Sequence, residues 1–255
     1  MQYLGGKRRE KKHFLPGLLR LIEKTNAKAY YEPFVGAGSV IEDIPASIDR
    51  IGSDKNFYII AFLRAIRDGW RPEYIENEEQ RRARWEYVKK YKNKVNPAEV
   101  AFWGHGVSFG GRFFRGYAKD TKGSCFYKFA LNSIEKQAPK LKGTHLYWQS
   151  YSAKLPEILD RPLIVYSDPP YRGAEKINFA FNSDKFWDWV RHNAVGNVFH
   201  LISENSAPPD FEPVLEYQKQ NRLSWQTRSV FKPEYLFAHK SQAAFIREAF
   251  DDARR

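Results

Sequence analysis

Ala29-Tyr30-Tyr31-Glu32-Pro33-Phe34-Val35-Gly36-Ala37-Gly38-Ser39 decides how this chain is read. Residues 29–35 join aromatic and β-branched side chains, which reads as a short buried strand. Gly36 to Ser39 form a turn, and Val40 to Asp43 open a short helix. A second strand from Ile48 to Ser53 ends in Asp54-Lys55-Asn56. From Phe57 to Asp68, Ile59, Ile60, Phe62, Leu63 and Ile66 recur at helical spacing, and Gly69 stops the run. Strand, turn, helix, strand and helix in this order open a doubly wound α/β sheet.

Outward from that start the pattern changes. From Arg71 to Leu141 the chain is strongly charged and shows no strand–helix alternation. The α/β reading resumes at His145-Leu146-Tyr147-Trp148. It continues through a strand at 163–167, a helix from Asp184 to Asn193, a strand from Asn197 to Ser203, and strands near 213–218 and 228–239. The expected organisation is an α/β core of residues 1–70 and 142–255. A substrate-recognition segment, 71–141, is inserted into it.

Lysine and arginine outnumber the acids 42 to 30, a net charge of +12. Such an excess points to a polyanion, because phosphate contacts release counterions whatever the sequence. With 7 Trp, 15 Tyr and 19 Phe beside it, nucleic acid is favoured over a membrane surface. No apolar run approaches the roughly 20 residues of a membrane span. Lys7, Arg8, Arg9, Lys11 and Lys12 occupy the place of a signal peptide's apolar segment, so a cytoplasmic location is expected. The single cysteine, Cys125, excludes an internal disulfide. His13, His105, His145, His192, His200 and His239 have no metal-ligand spacing, and no metal is expected.

Three motifs carry chemistry. The glycine turn lets backbone approach a ligand at the carboxyl edge of the sheet, although G-x-G alone is a weak signal. Asp54, 18 positions after Gly36, ends the next strand, where a carboxylate would meet the ribose of an adenosine-bearing cofactor. Tyr3-Leu4-Gly5-Gly6-Lys7 places two glycines before a cation, able to meet an anionic group or simply to form a basic terminus. The apolar run Leu163 to Tyr166 leads into Ser167-Asp168-Pro169-Pro170-Tyr171. Prolines donate no backbone N–H, which leaves carbonyl acceptors beside one carboxylate and one ring face. That set suits a flat ring bearing an amine, best adenine or cytosine.

In this order the three motifs resemble the DNA adenine-N6 methyltransferases of the Dam type. In that family the target-recognition domain lies between the second and third motifs, where this chain has its basic segment. Leu201-Ile202-Ser203-Glu204-Asn205 and Lys232-Pro233-Glu234-Tyr235-Leu236-Phe237 are similar to weaker family motifs. The resemblance implies a Rossmann-like methyltransferase sheet with an inserted, mainly helical recognition domain carrying a β-hairpin. It implies S-adenosylmethionine as methyl donor and double-stranded DNA as partner. It also implies a cytoplasmic enzyme of a bacterium, or of a phage acting in its host, with no partner nuclease indicated.

By position, the resemblance gives Tyr3, Gly5, Gly6 and Lys7 to the border of the cofactor pocket. Phe34, Val35, Gly36, Gly38 and Ser39 would line it, and Asp54 would hold the ribose hydroxyls. Tyr151 follows Ser150 where the family usually has Asp-Phe, next to the cofactor's adenine. Asp168 would border the cofactor too and, with the carbonyl of Pro169, accept hydrogen bonds from N6. Pro170 completes that catalytic set, and Tyr171 would stack on the base. Two acceptors on its hydrogens favour attack by an otherwise poor nucleophile, once the base has left the duplex.

In the insertion, Gly110-Gly111-Arg112-Phe113-Phe114-Arg115-Gly116-Tyr117-Ala118-Lys119 runs into a turn at Asp120-Thr121-Lys122-Gly123. Basic and aromatic residues alternate there as in a groove-entering ribbon, so Arg112, Arg115, Lys119 and Lys122 are the candidate DNA contacts. Arg81, Arg82, Arg84, Lys89 and Lys90 fall on a predicted helix with Trp85 and Val88 inward, and phosphate contact is expected of them. Two alternatives stay open: a cytosine-N4 or RNA-base methyltransferase of the same fold, and a DNA-binding protein with a degenerate catalytic site.

Overall fold

The computed structural model describes residues 6–153, 162–170, 181–221 and 230–255, without the side chains of 220, 221 and 230. Its strands are β1 (Ala29–Glu32), β2 (Asp49–Asp54), β3 (Thr144–Trp148), β4 (Leu163–Ser167), β5 (Val198–Glu204), β6 (Phe211–Asn221) and β7 (Val230–His239). They make one seven-stranded sheet in the order β3-β2-β1-β4-β5-β7-β6. β4 runs parallel to β1 and to β5, whereas β7 is antiparallel to both β5 and β6. The expected α/β sheet is present, with β7 running antiparallel between β5 and β6 near one edge. Its helices are α1 (Lys11–Thr25), α2 (Phe57–Arg67), α3 (Glu78–Lys90), α4 (Pro97–Ala101), α5 (Phe126–Gln137), α6 (Ser183–Asn193) and α7 (Lys240–Asp252). None of the described helices is long and apolar enough to cross a membrane.

Contacts group the chain into two compact units. One comprises residues 8–34, 44–51 and 150–255. Its apolar interior joins Ala29, Tyr31, Leu163, Val165 and Val198, with Trp189 packed against them. β4 is buried along its whole length, as a strand flanked by two parallel neighbours should be. A second cluster gathers Phe186, Trp187, Val190, Ile202, Phe211 and Phe237. The β6–β7 pairing runs from Phe211↔His239 to Asn221↔Val230, but β5 pairs with β7 only over Tyr235 to Phe237.

The other unit comprises residues 1–7, 35–43 and 52–149. Asn56 caps α2 by accepting from the N–H groups of Tyr58 and Ile59 at 3.1 and 3.4 Å. Between α2 and β3 the chain is mainly helical. Trp85 and Val88 of α3 point inward as the sequence predicted, and the Trp85 indole N–H donates to Ser108 Oγ at 2.9 Å.

The expected two-stranded ribbon is met there only as a loop closed by one antiparallel bridge, Ser108↔Tyr117, and a separate tight turn, Thr121↔Ser124. Gly110 and Gly111 take left-handed φ of 64° and 70°, which interrupts any ladder. Phe114 turns inward beside Trp85 and its N–H donates to the Gly104 carbonyl at 2.9 Å. The aromatic half of the alternation thus packs the loop and leaves its basic half outside.

Candidate active site

The glycine turn and Asp54 meet within one unit. The Gly36 N–H donates to Asp54 Oδ2 at 3.0 Å, and the Asn56 N–H donates to Oδ1 at 2.8 Å. Burial pushes the Asp54 carboxyl up, and the N–H groups of Asn56, Gly36 and Lys55 oppose that shift by stabilising its anion. Gly36 and Gly38 have φ of 46° and 70°, values that favour glycine. A Cβ on Gly38 would stand 3.3 Å from Leu63. The Val35 N–H is held by the Ser53 carbonyl at 2.9 Å, and the Gly38 N–H by the Val35 carbonyl at 2.8 Å. Ser39 is half-buried. Lys7 is buried and Gly6 exposed; Tyr3 and Gly5 lie outside the described residues.

In the other unit, Asp168 and Pro169 follow directly on buried β4, Asp168 half-buried and Pro169 buried; Pro170 is half-buried. Tyr171 lies outside the described residues. Ser167 Oγ and His200 Nε2 are 2.8 Å apart, a bond from β4 to β5 immediately before Asp168. Burial holds His200 down to about 3, so the ring is neutral. Tyr166 is pushed well above its ordinary value, first by burial and then by the Asp168 charge. Tyr217 is raised by burial, with Glu234 and Asp168 adding to the shift. Both phenols therefore keep their protons close to the carboxylate.

Phe34 and Tyr151 stack with ring centroids 5.4 Å apart, and Phe186 closes on Phe34 at 5.6 Å. Two of the expected cofactor contacts are therefore brought together, through the aromatic ring that stands in place of the family's phenylalanine.

Residues 3–101 match the D12 class N6 adenine-specific DNA methyltransferases. The match bears out the resemblance drawn from the motifs. It takes in the Gly-Gly-Lys segment, the glycine turn and Asp54, while Asp168 lies beyond it. No curated protein matches the chain.

Of the residues expected to contact DNA, Arg112, Arg115, Lys119 and Lys122 all have exposed side chains. The helix α3 requires a correction. Arg81 is buried, donating to Asp120 Oδ2 at 2.6 Å and to the Glu76 carbonyl at 2.9 Å. Arg84 grips Glu99 with two bonds of 2.8 and 2.9 Å. Those two arginines hold the fold, and only Arg82, Lys89 and Lys90 of that group are exposed.

Sequence reasoning missed Gln137 and the Ser167–His200 pair. Gln137 Nε2 donates to the carbonyl of Ala37 at 2.7 Å, clamping the glycine turn from 100 residues away. No local pattern announces a contact over that distance. Among the described residues no group of three or more His, Cys, Asp or Glu side chains is placed to hold a metal ion.

Proposed function

We propose that this protein transfers the methyl group of S-adenosylmethionine to N6 of an adenine flipped out of duplex DNA, at specific sites. The observation that carries this reading is the placing of Asp168-Pro169-Pro170 at the end of a strand buried between two parallel neighbours. Ligands of open α/β sheets bind at such carboxyl ends.

The residues present fit the cofactor. Asp54 is fixed by two backbone N–H groups and keeps lone pairs for ribose hydroxyls. Gly36 and Gly38 offer backbone with no side chain in the way. Phe34, Val35, Ser39, Tyr151, Asp168 and the Tyr3, Gly5, Gly6 and Lys7 segment are its further proposed contacts. S-adenosylmethionine, when bound, supplies an electrophilic methyl group.

This chain's own residues do the rest. Asp168 and the Pro169 carbonyl accept both N6 hydrogens, draw the nitrogen's lone pair out of the ring and hold positive charge as it forms. Pro170 fixes the backbone that aims the acceptors. Tyr171 stacks on the base, which helps offset the few kcal/mol of unstacking. The segment 71–141 recognises DNA through Arg112, Arg115, Lys119 and Lys122.

Methyl transfer to unmethylated duplex DNA, read as modified nucleosides by mass spectrometry, tests the reading. N6-methyladenine supports it. N4-methylcytosine would change the base, and DNA binding with no modified base would make the chain a binding protein.

A further inference from the structure

Past the last β5–β7 pair, Glu204↔Tyr235, strands β6 and β7 go on pairing, among the described residues only with each other, from Tyr217↔Glu234 to Asn221↔Val230. On this ribbon Lys219 stands directly opposite Lys232. Like charges facing each other across a ladder destabilise it. Lys219 offsets its share through Glu234, at 3.1 Å, but Lys232 is exposed. Successive residues of a strand point to opposite faces, so Phe231 lies on the other face, opposite Gln220 and 60% exposed. The sequence from Tyr217 to Pro233 holds four basic residues, Lys219, Arg222, Arg228 and Lys232, and no acid.

A facing lysine pair and an aromatic ring left in water are poor choices for a free protein and good ones against a polyanion. A phosphate neutralises the charge that the ladder cannot, and the ring gains apolar contact with sugar. A two-stranded ribbon also fits a DNA groove. We propose that the β6–β7 ribbon is a second contact for duplex DNA, separate from the 71–141 segment. Lys232 lies on a phosphate and Phe231 against the sugars. This inference rests on the DNA-methyltransferase reading above.

The test is binding of a fluorescent duplex by the full chain, followed by anisotropy over a range of salt concentrations. Lys232→Gln weakens binding several-fold at low salt and flattens the plot of log K against log salt by about 0.9, one phosphate contact. Phe231→Ser weakens binding several-fold at every salt concentration and leaves the slope alone. Unchanged S-adenosylmethionine affinity in both variants shows that they are folded. Wild-type affinity and slope in both, with DNA still methylated, overturns the ribbon's role alone. A wild-type chain that neither binds nor methylates DNA overturns the ribbon and the functional reading together.

Discussion

Gly36 and Asp54, 18 residues apart, are joined by a hydrogen bond of 3.0 Å from the glycine N–H to the carboxylate. The bond ties the loop after β1 to the end of β2, so the glycine turn and the acid are one construction. An acid held by backbone donors on both oxygens is aimed before any ligand arrives.

Asp54→Ala should therefore lose most cofactor affinity. A charge-assisted hydrogen bond is worth about 1.5–3 kcal/mol, or roughly 10- to 100-fold in Kd. Calorimetric titration with S-adenosylmethionine checks this. An unchanged Kd would remove Asp54 from the cofactor site.

Gln137→Leu should loosen the turn from behind. The buried carbonyl of Ala37 loses its donor, a penalty of about 1–3 kcal/mol. The Tm falls, and the Kd for S-adenosylmethionine rises several-fold. A lower Tm with an unchanged Kd would make Gln137 purely structural.

The arginines of the 71–141 segment should separate into two classes. Arg81→Ala leaves half-buried Asp120 without its charged partner, which costs about 1.5–3 kcal/mol and shows as a lower Tm. Arg112→Ala and Arg115→Ala should weaken DNA binding and reduce its salt slope by about 0.9 each, and Arg115→Ala should leave the Tm in place. An unchanged slope in both would take DNA contact away from this loop.

Stability should fall as the solution is acidified from pH 6.5 towards 4. Burial keeps His200 at about 3 and His105 at about 4, whereas unfolded histidine titrates near 6.5. In that window the unfolded chain binds protons that the native chain refuses, so unfolding is favoured as pH drops. Each ring contributes a slope of about 1.4 kcal/mol per pH unit. His200→Gln should flatten the dependence of Tm on pH; a slope equal to wild type would show that the ring takes up its proton in the native state.

What the sequence made legible followed from local patterns. The aromatic and β-branched run before Gly36 placed β1, though the strand stops at Glu32 because Pro33 has no N–H to give a ladder. Apolar spacing located α2 and α6 to within a residue of their ends. Asp54 was legible as an acid at a strand end, 18 positions after Gly36, but its bond to the glycine turn was not. What stayed hidden depends on distance. The pair of buried Arg81 and half-buried Asp120 looks like two solvated charges until the chain brings positions 39 apart together. Likewise Ser167 and His200, 33 positions apart, meet only because β4 and β5 are neighbours. The basic–aromatic alternation after Gly110 was read as a ribbon, but left-handed glycines turn it into a loop.

The catalytic role of Asp168 is tested most directly by comparing wild type with Asp168→Ala, given labelled S-adenosylmethionine and unmethylated duplex DNA. The wild type should yield N6-methyladenine and the variant none, while the variant still binds S-adenosylmethionine measurably. Undiminished methyl transfer by Asp168→Ala would contradict that role.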